Sequence, residues 1–82
     1  PGGNAEPGAQ HTSAQLVEAL TGRQHEILVL LADGRSNREI AAALFLAEGT
    51  VKAHVHQIYG KLMARNRVEA IANARRFGLV DA

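Results

Sequence analysis

The chain has 82 residues, 46% of them hydrophobic but only 4% aromatic, with no cysteine and a net charge of +1. That length allows one small domain with a marginally stable core, and it excludes a disulfide framework and a thiolate metal site. No run of about 18 apolar residues is present to span a bilayer, and a core of Leu, Ile, Val and Ala favours helices over a sheet.

The chain starts on Pro1 without a signal-peptide pattern, so it reads as a piece of a longer protein. The lack of cysteine fits a reducing, cytoplasmic setting. Charge is unevenly spread. Residues 1–49 hold Arg23, Arg35 and Arg38 against six acids, giving −3, while residues 50–82 hold six basic residues against Glu69 and Asp81, giving +4. A basic C-terminal half suits an anionic partner, although a solvated charged face explains it as simply.

Residues 1–15, PGGNAEPGAQHTSAQ, contain both prolines, three glycines and no large apolar residue, which predicts a flexible linker ahead of a domain over 16–82. Ser13 is placed to cap a short turn through AQLVEAL. Thr21-Gly22-Arg23-Gln24 then has the form of a capping box, in which a hydroxyl and an amide satisfy free N–H groups of a helix start. With Ile27, Leu28, Leu30 and Leu31 following, and Gly34 as a left-handed stop, the pattern predicts a helix over about 22–33. Ser36-Asn37-Arg38-Glu39 is a second capping box, opening a helix to Leu44 with Ile40, Ala41 and Leu44 inward. A turn through Phe45-Leu46-Ala47-Glu48 leads to a third helix over about 48–63. Asn66-Arg67-Val68-Glu69 starts a fourth, with Val68, Ile71, Ala72 and Ala74 inward and Gly78 as its stop. The third helix alone lacks a capping side chain. Ala47 stands where a serine would serve, at a cost of about 0.5–2 kcal/mol, partly offset by Glu48 in the first turn.

The third helix, EGTVKAHVHQIYGKL, is the informative one. At about 100° per residue, Val51, Val55, Ile58 and Leu62 form one apolar stripe. Lys52, Ala53, His56, Gly49 and Gly60 fall on the opposite side, and His54 and Lys61 lie on a flank. Strong helix formers normally fill a merely solvated face. Here short side chains leave the backbone open, and Gly60 costs about 1 kcal/mol against alanine. A docked partner would give that cost a return. A short helix, a tight turn and a longer amphipathic helix make a helix-turn-helix, whose second helix can enter a DNA major groove; many plain helical hairpins share that outline.

Four blocks narrow the choice. LTGRQHEIL, GRSNREIA, TVKAHVHQIYGKL and RNRVEAI, all within Leu20 to Val80, resemble in register the motifs of the DNA-binding domain of LuxR/NarL-type bacterial transcription regulators. The resemblance covers about three quarters of the chain. It implies an all-α fold of four helices with a three-helix core and no wing, and sequence-specific binding of double-stranded DNA by the effector end of a response regulator or similar protein. Three positions depart from the family pattern: Gln24 stands for the usual Glu, Ala47 for the usual Ser, and Met63 for a common Gly, so the third helix is expected to end less sharply.

The resemblance assigns Lys52, Ala53 and His56 to base edges. Lysine can donate to guanine, alanine can touch a thymine methyl, and histidine can donate or accept. Thr50, Lys61 and Arg38 are the candidates for phosphate contacts, with Arg65 and Arg67 as further cations near the backbone; the alternative for Arg38 is a pair with Glu39 or Asp33. His54 is expected to lock the helix through a hydrogen bond. Along the last helix, Val68, Ile71, Ala72 and Arg75 are the candidate contact of a weak homodimer on DNA, with core coverage as the competing role.

Metal ligation is not expected, since His54 and His56 diverge and no cysteine or carboxylate cluster joins them. No cofactor fingerprint or nucleophile with a nearby base suggests an enzyme. The reading from a different class is a protein–protein module, docking RNA polymerase or a partner regulator through the Lys52 and His56 face.

Overall fold

The computed structural model describes residues 19–81, and the expected linker over 1–15 and the Ser13 turn lie outside them. Four helices follow one another: α1 (Gly22–Ala32), α2 (Asn37–Leu44), α3 (Glu48–Lys61) and α4 (Arg67–Arg76), and no strand occurs among the described residues. The all-α expectation holds, as does the absence of a wing.

Local chemistry sets the helix starts. Thr21 accepts from the Gln24 N–H at 3.0 Å while Gln24 Oε1 accepts from the Thr21 N–H, and Ser36 and Glu39 repeat the exchange at α2. Asn66 Oδ1 accepts from the Glu69 N–H at 2.9 Å to open α4. Ala47 begins α3 with no side-chain cap. Each helix closes on a left-handed residue: Gly34, Phe45, Met63 and Gly78, with φ of 87°, 59°, 55° and 74°. Two of those four carry a side chain, so sterics work against them.

The third helix therefore ends as abruptly as the others, contrary to the expectation drawn from Met63. The Ala64 N–H reaches the Tyr59 carbonyl at 2.8 Å and the Met63 N–H reaches Gly60 at 3.2 Å. This pair of bonds satisfies carbonyls that would otherwise be orphaned, and it holds the methionine in the left-handed region. The turn after α2 is correspondingly tight, only Phe45 to Ala47.

Ile27, Leu28 and Leu31 of α1, Ile40 and Ala41 of α2, and Val51, Val55 and Ile58 of α3 form one core with Leu20, Leu62 and Leu79. On α4 the expected inward set is corrected except at Ala74. Ala70 and Ala74 are fully buried, whereas Val68 is 76% exposed, Ala72 is exposed and Ile71 only half-buried. Small side chains let α4 lie close against α1 and α3, and the larger apolar residues are turned away from that contact. Polar side chains then fasten chain ends across elements. Arg67 donates to the Leu31 and Arg35 carbonyls at 3.0 and 2.6 Å, Asn73 to the Leu62 carbonyl at 2.9 Å, and a His25 ring nitrogen lies 3.1 Å from the Leu79 carbonyl.

Candidate nucleic-acid interface

Burying Val51, Val55 and Ile58 fixes the rotation of α3 and turns Lys52, Ala53 and His56 to solvent. They line a groove of about 600 Å³ together with Asn37 from α2 and Gln57 and Tyr59 from α3. Gly49 and Gly60 sit on the same side, and a Cβ added at either would meet nothing within 4 Å. No internal packing demands those glycines. The groove offers an ammonium, an imidazole, amides and a phenol beside open backbone, which suits a polar, hydrogen-bonding partner that approaches closely.

Three lining residues were not anticipated. On the helical wheel Gln57 lies about 100° or more from every residue of the apolar stripe and Tyr59 about 20° from Lys52, so periodicity alone could have found them. Asn37 belongs to another helix, and nothing in its local sequence points to the groove.

Thr50 and Arg38 are exposed, Thr50 in the first turn of α3 and Arg38 in that of α2. The acids considered as partners for Arg38 are engaged elsewhere: Asp33 with Arg35 at 3.3 Å, and Glu39 with the Ser36 N–H at 2.8 Å. That bond from the Ser36 backbone holds the Glu39 carboxyl below the usual range. Among the described residues, Lys52 and Arg38 make no ion pair.

The other cations are placed differently. Lys61 is half-buried, and its ammonium donates to the Ala19 carbonyl and to Gln24 Oε1, each at 2.6 Å. Two of its three N–H donors are thus spent inside the domain, leaving one for a phosphate contact. Arg67 is likewise committed to the end of α1. Arg65 pairs with Glu69 at 2.9 Å on the surface, and its side-chain bond lowers the Glu69 carboxyl from its ordinary range.

His54 needs a correction too. Its Nδ1 is buried and has no hydrogen-bond partner. Among the described residues, the expected helix-locking bond is therefore not made through Nδ1. Among the described residues, no three His, Cys, Asp or Glu side chains gather as a metal site would require, and no helix is long and apolar enough to cross a membrane. On α4, Val68, Ala72 and Arg75 are exposed beside half-buried Ile71, leaving a mostly apolar strip uncovered.

The comparisons with known proteins bear on the family and the fold. Residues 18–74 match the bacterial regulatory proteins of the luxR family. Over 68 residues the chain is 45% identical to the response regulator protein VraR of Staphylococcus aureus, covering 83% of this chain and 32% of that protein. Two solved structures share the fold with a TM-score of 0.71 each. One is the response regulator ChrA of a heme-sensing two component system, 50% identical, with 73% of this chain and 30% of that one covered. The other is the transcription factor GerE, 35% identical, with 76% of this chain and 92% of that one covered. The chain thus spans about a third of the length of VraR.

Proposed function

Because the chain belongs to the luxR family of bacterial regulatory proteins, we propose that it binds double-stranded DNA sequence-specifically, as the effector domain of a cytoplasmic transcription regulator, with α3 in the major groove. The observation that carries this reading is the outer face of α3, where exposed Lys52, Ala53 and His56 are flanked by two glycines that nothing inside the domain requires. In this arrangement Lys52 donates to guanine O6 or N7, Ala53 meets a thymine methyl and His56 hydrogen-bonds a base edge. Thr50 and Arg38 take phosphate oxygens, Thr50 at a helix start whose N–H groups and dipole already favour an anion. Val68, Ile71, Ala72 and Arg75 form the contact of a weak homodimer assembled on a two-fold site, and RNA polymerase is a partner of the bound dimer.

The test is a titration of duplex DNA at 50 and 200 mM salt. Two neutralised phosphates already imply roughly a tenfold loss of affinity over that fourfold rise. Lys52→Ala should flatten the preference among duplexes by about 1–3 kcal/mol at one base pair. Gly60→Ala should raise the stability of the free domain by about 1 kcal/mol while weakening the complex, because the new methyl group stands where the backbone is approached. Absence of binding at about millimolar duplex in low salt would replace this reading with that of a protein-docking module.

A further inference from the structure

Gln57 lines the groove, and its amide is not free to turn. Its Oε1 accepts from Gln24 Nε2 at 2.7 Å. Gln24 in turn is only 3% exposed, and its own Oε1 receives the Lys61 ammonium at 2.6 Å and the Thr21 N–H at 3.2 Å. Two donors converge on that oxygen. Flipping the Gln24 amide would set its NH2 against an ammonium and a backbone N–H, so its orientation is fixed by the network. The fixed NH2 must then point at Gln57, and this holds the Gln57 oxygen inward.

We propose that Gln57 is a one-way contact: it presents only its amide N–H groups to the groove, and its partner on DNA is a hydrogen-bond acceptor. This rests on the DNA-binding reading and deepens it. A free glutamine reads adenine with both ends of its amide, accepting from N6 and donating to N7. Gln57 lacks the accepting end. Its partner is therefore a phosphate oxygen, or an acceptor atom on a base such as guanine O6 or thymine O4. The polarity is set two residues away from the DNA, by Lys61 acting through Gln24. It also depends on residue 24 being an amide: a carboxylate there has no N–H to donate, and Gln57 would turn its NH2 inward and its oxygen outward.

The test compares Gln57→Ala in two backgrounds, the unaltered 82-residue chain and Gln24→Glu, which keeps the capping acceptor and the bond from Lys61. The added negative charge lowers duplex affinity in both members of the second pair alike, so the quantity read is the cost of Gln57→Ala within each background. In the unaltered chain that cost should be at least fivefold. In Gln24→Glu it should vanish or reverse. A loss shared by every duplex identifies a phosphate oxygen as the acceptor, and a loss confined to duplexes with one base pair identifies a base atom. Equal costs in the two backgrounds would overturn the proposal. Side-chain amide exchange in the free chain gives an independent reading: the Gln24 NH2 should be protected and the Gln57 NH2 should exchange freely, the latter becoming protected in Gln24→Glu. The reverse pattern in the unaltered chain would also overturn it. Should the unaltered chain bind no duplex, the DNA-binding reading fails, and these amide signals alone decide the polarity of Gln57.

Discussion

Lys61 illustrates how a residue's type can suggest one role and its surroundings another. From the sequence it is a cation on the flank of a DNA-facing helix. In the fold its ammonium spans the Ala19 carbonyl and Gln24, joining the end of α3 to the start of α1. Lys61→Met keeps the stem and removes both bonds, so it should lower the melting temperature while leaving the salt dependence of duplex binding unchanged. A phosphate contact would instead show as a slope reduced by about 0.9 in log affinity against log salt. Nothing local distinguishes the two roles, because the acceptors lie 42 and 37 positions away in the chain. Met63 is a second residue-scale case. It is 63% exposed at φ 55°, so little packing offsets its left-handed strain. Met63→Gly should stabilise the domain by about 1 kcal/mol, read as a shift of about 4–8 °C in melting temperature. A fall in melting temperature would mean that the exposed methionine packs more than its surface suggests.

The helix starts were legible in the sequence because capping is local: hydroxyl, amide and carboxylate sit three positions apart and need no tertiary partner to find each other. The missing cap at Ala47 was equally plain, and Ala47→Ser should add about 0.5–2 kcal/mol to stability in chemical denaturation. An unchanged midpoint would show that the first turn of α3 has no acceptor to gain. Two carboxylates near helix starts give the domain an acid limb. Glu39 and Glu69 both ionise below their ordinary range, Glu39 through the Ser36 backbone bond and Glu69 through Arg65. The unfolded chain then binds protons more readily than the folded one. Their stabilisation is complete above the unfolded glutamate value of about 4.3 and is lost as pH falls through the lower folded values. Glu39→Gln retains the capping oxygen without the charge, so its melting temperature should decline less steeply on acidification; an identical acid limb would remove Glu39 from this account. The inward face of α4 was misread for the opposite reason. Ala74 was placed inward correctly, but periodicity also drew in Val68, Ile71 and Ala72 and passed over Ala70, which close helix packing selects.

At the scale of the whole domain, the face carrying Lys52, Ala53 and His56 was legible because all three share one helix with the stripe that the core buries. The wall contributed by Asn37, and the Gln24–Gln57 bond across 33 positions, depend on how helices meet, which a one-dimensional pattern does not encode. The outward strip on α4 follows from the same assembly. With Ala70 and Ala74 holding the helix to the core, Val68 and Ala72 are left for another surface. Four residues of one short helix suit a weak contact rather than the extensive interface of a stable dimer. In the proposed dimer on DNA, however, two copies on adjacent half-sites would meet at an effective concentration near millimolar, where a weak contact suffices. Val68→Asp tests this without touching the core, since residue 68 is 76% exposed and an acid in the first turn of α4 suits the helix dipole. Stability should change by no more than about 0.5 kcal/mol. Binding to a duplex with one half-site should be unaltered, and cooperative binding to a two-fold duplex should fall several-fold. Equal losses on both duplexes would mean that Val68 acts on the DNA face itself, and the strip would then have no role between copies.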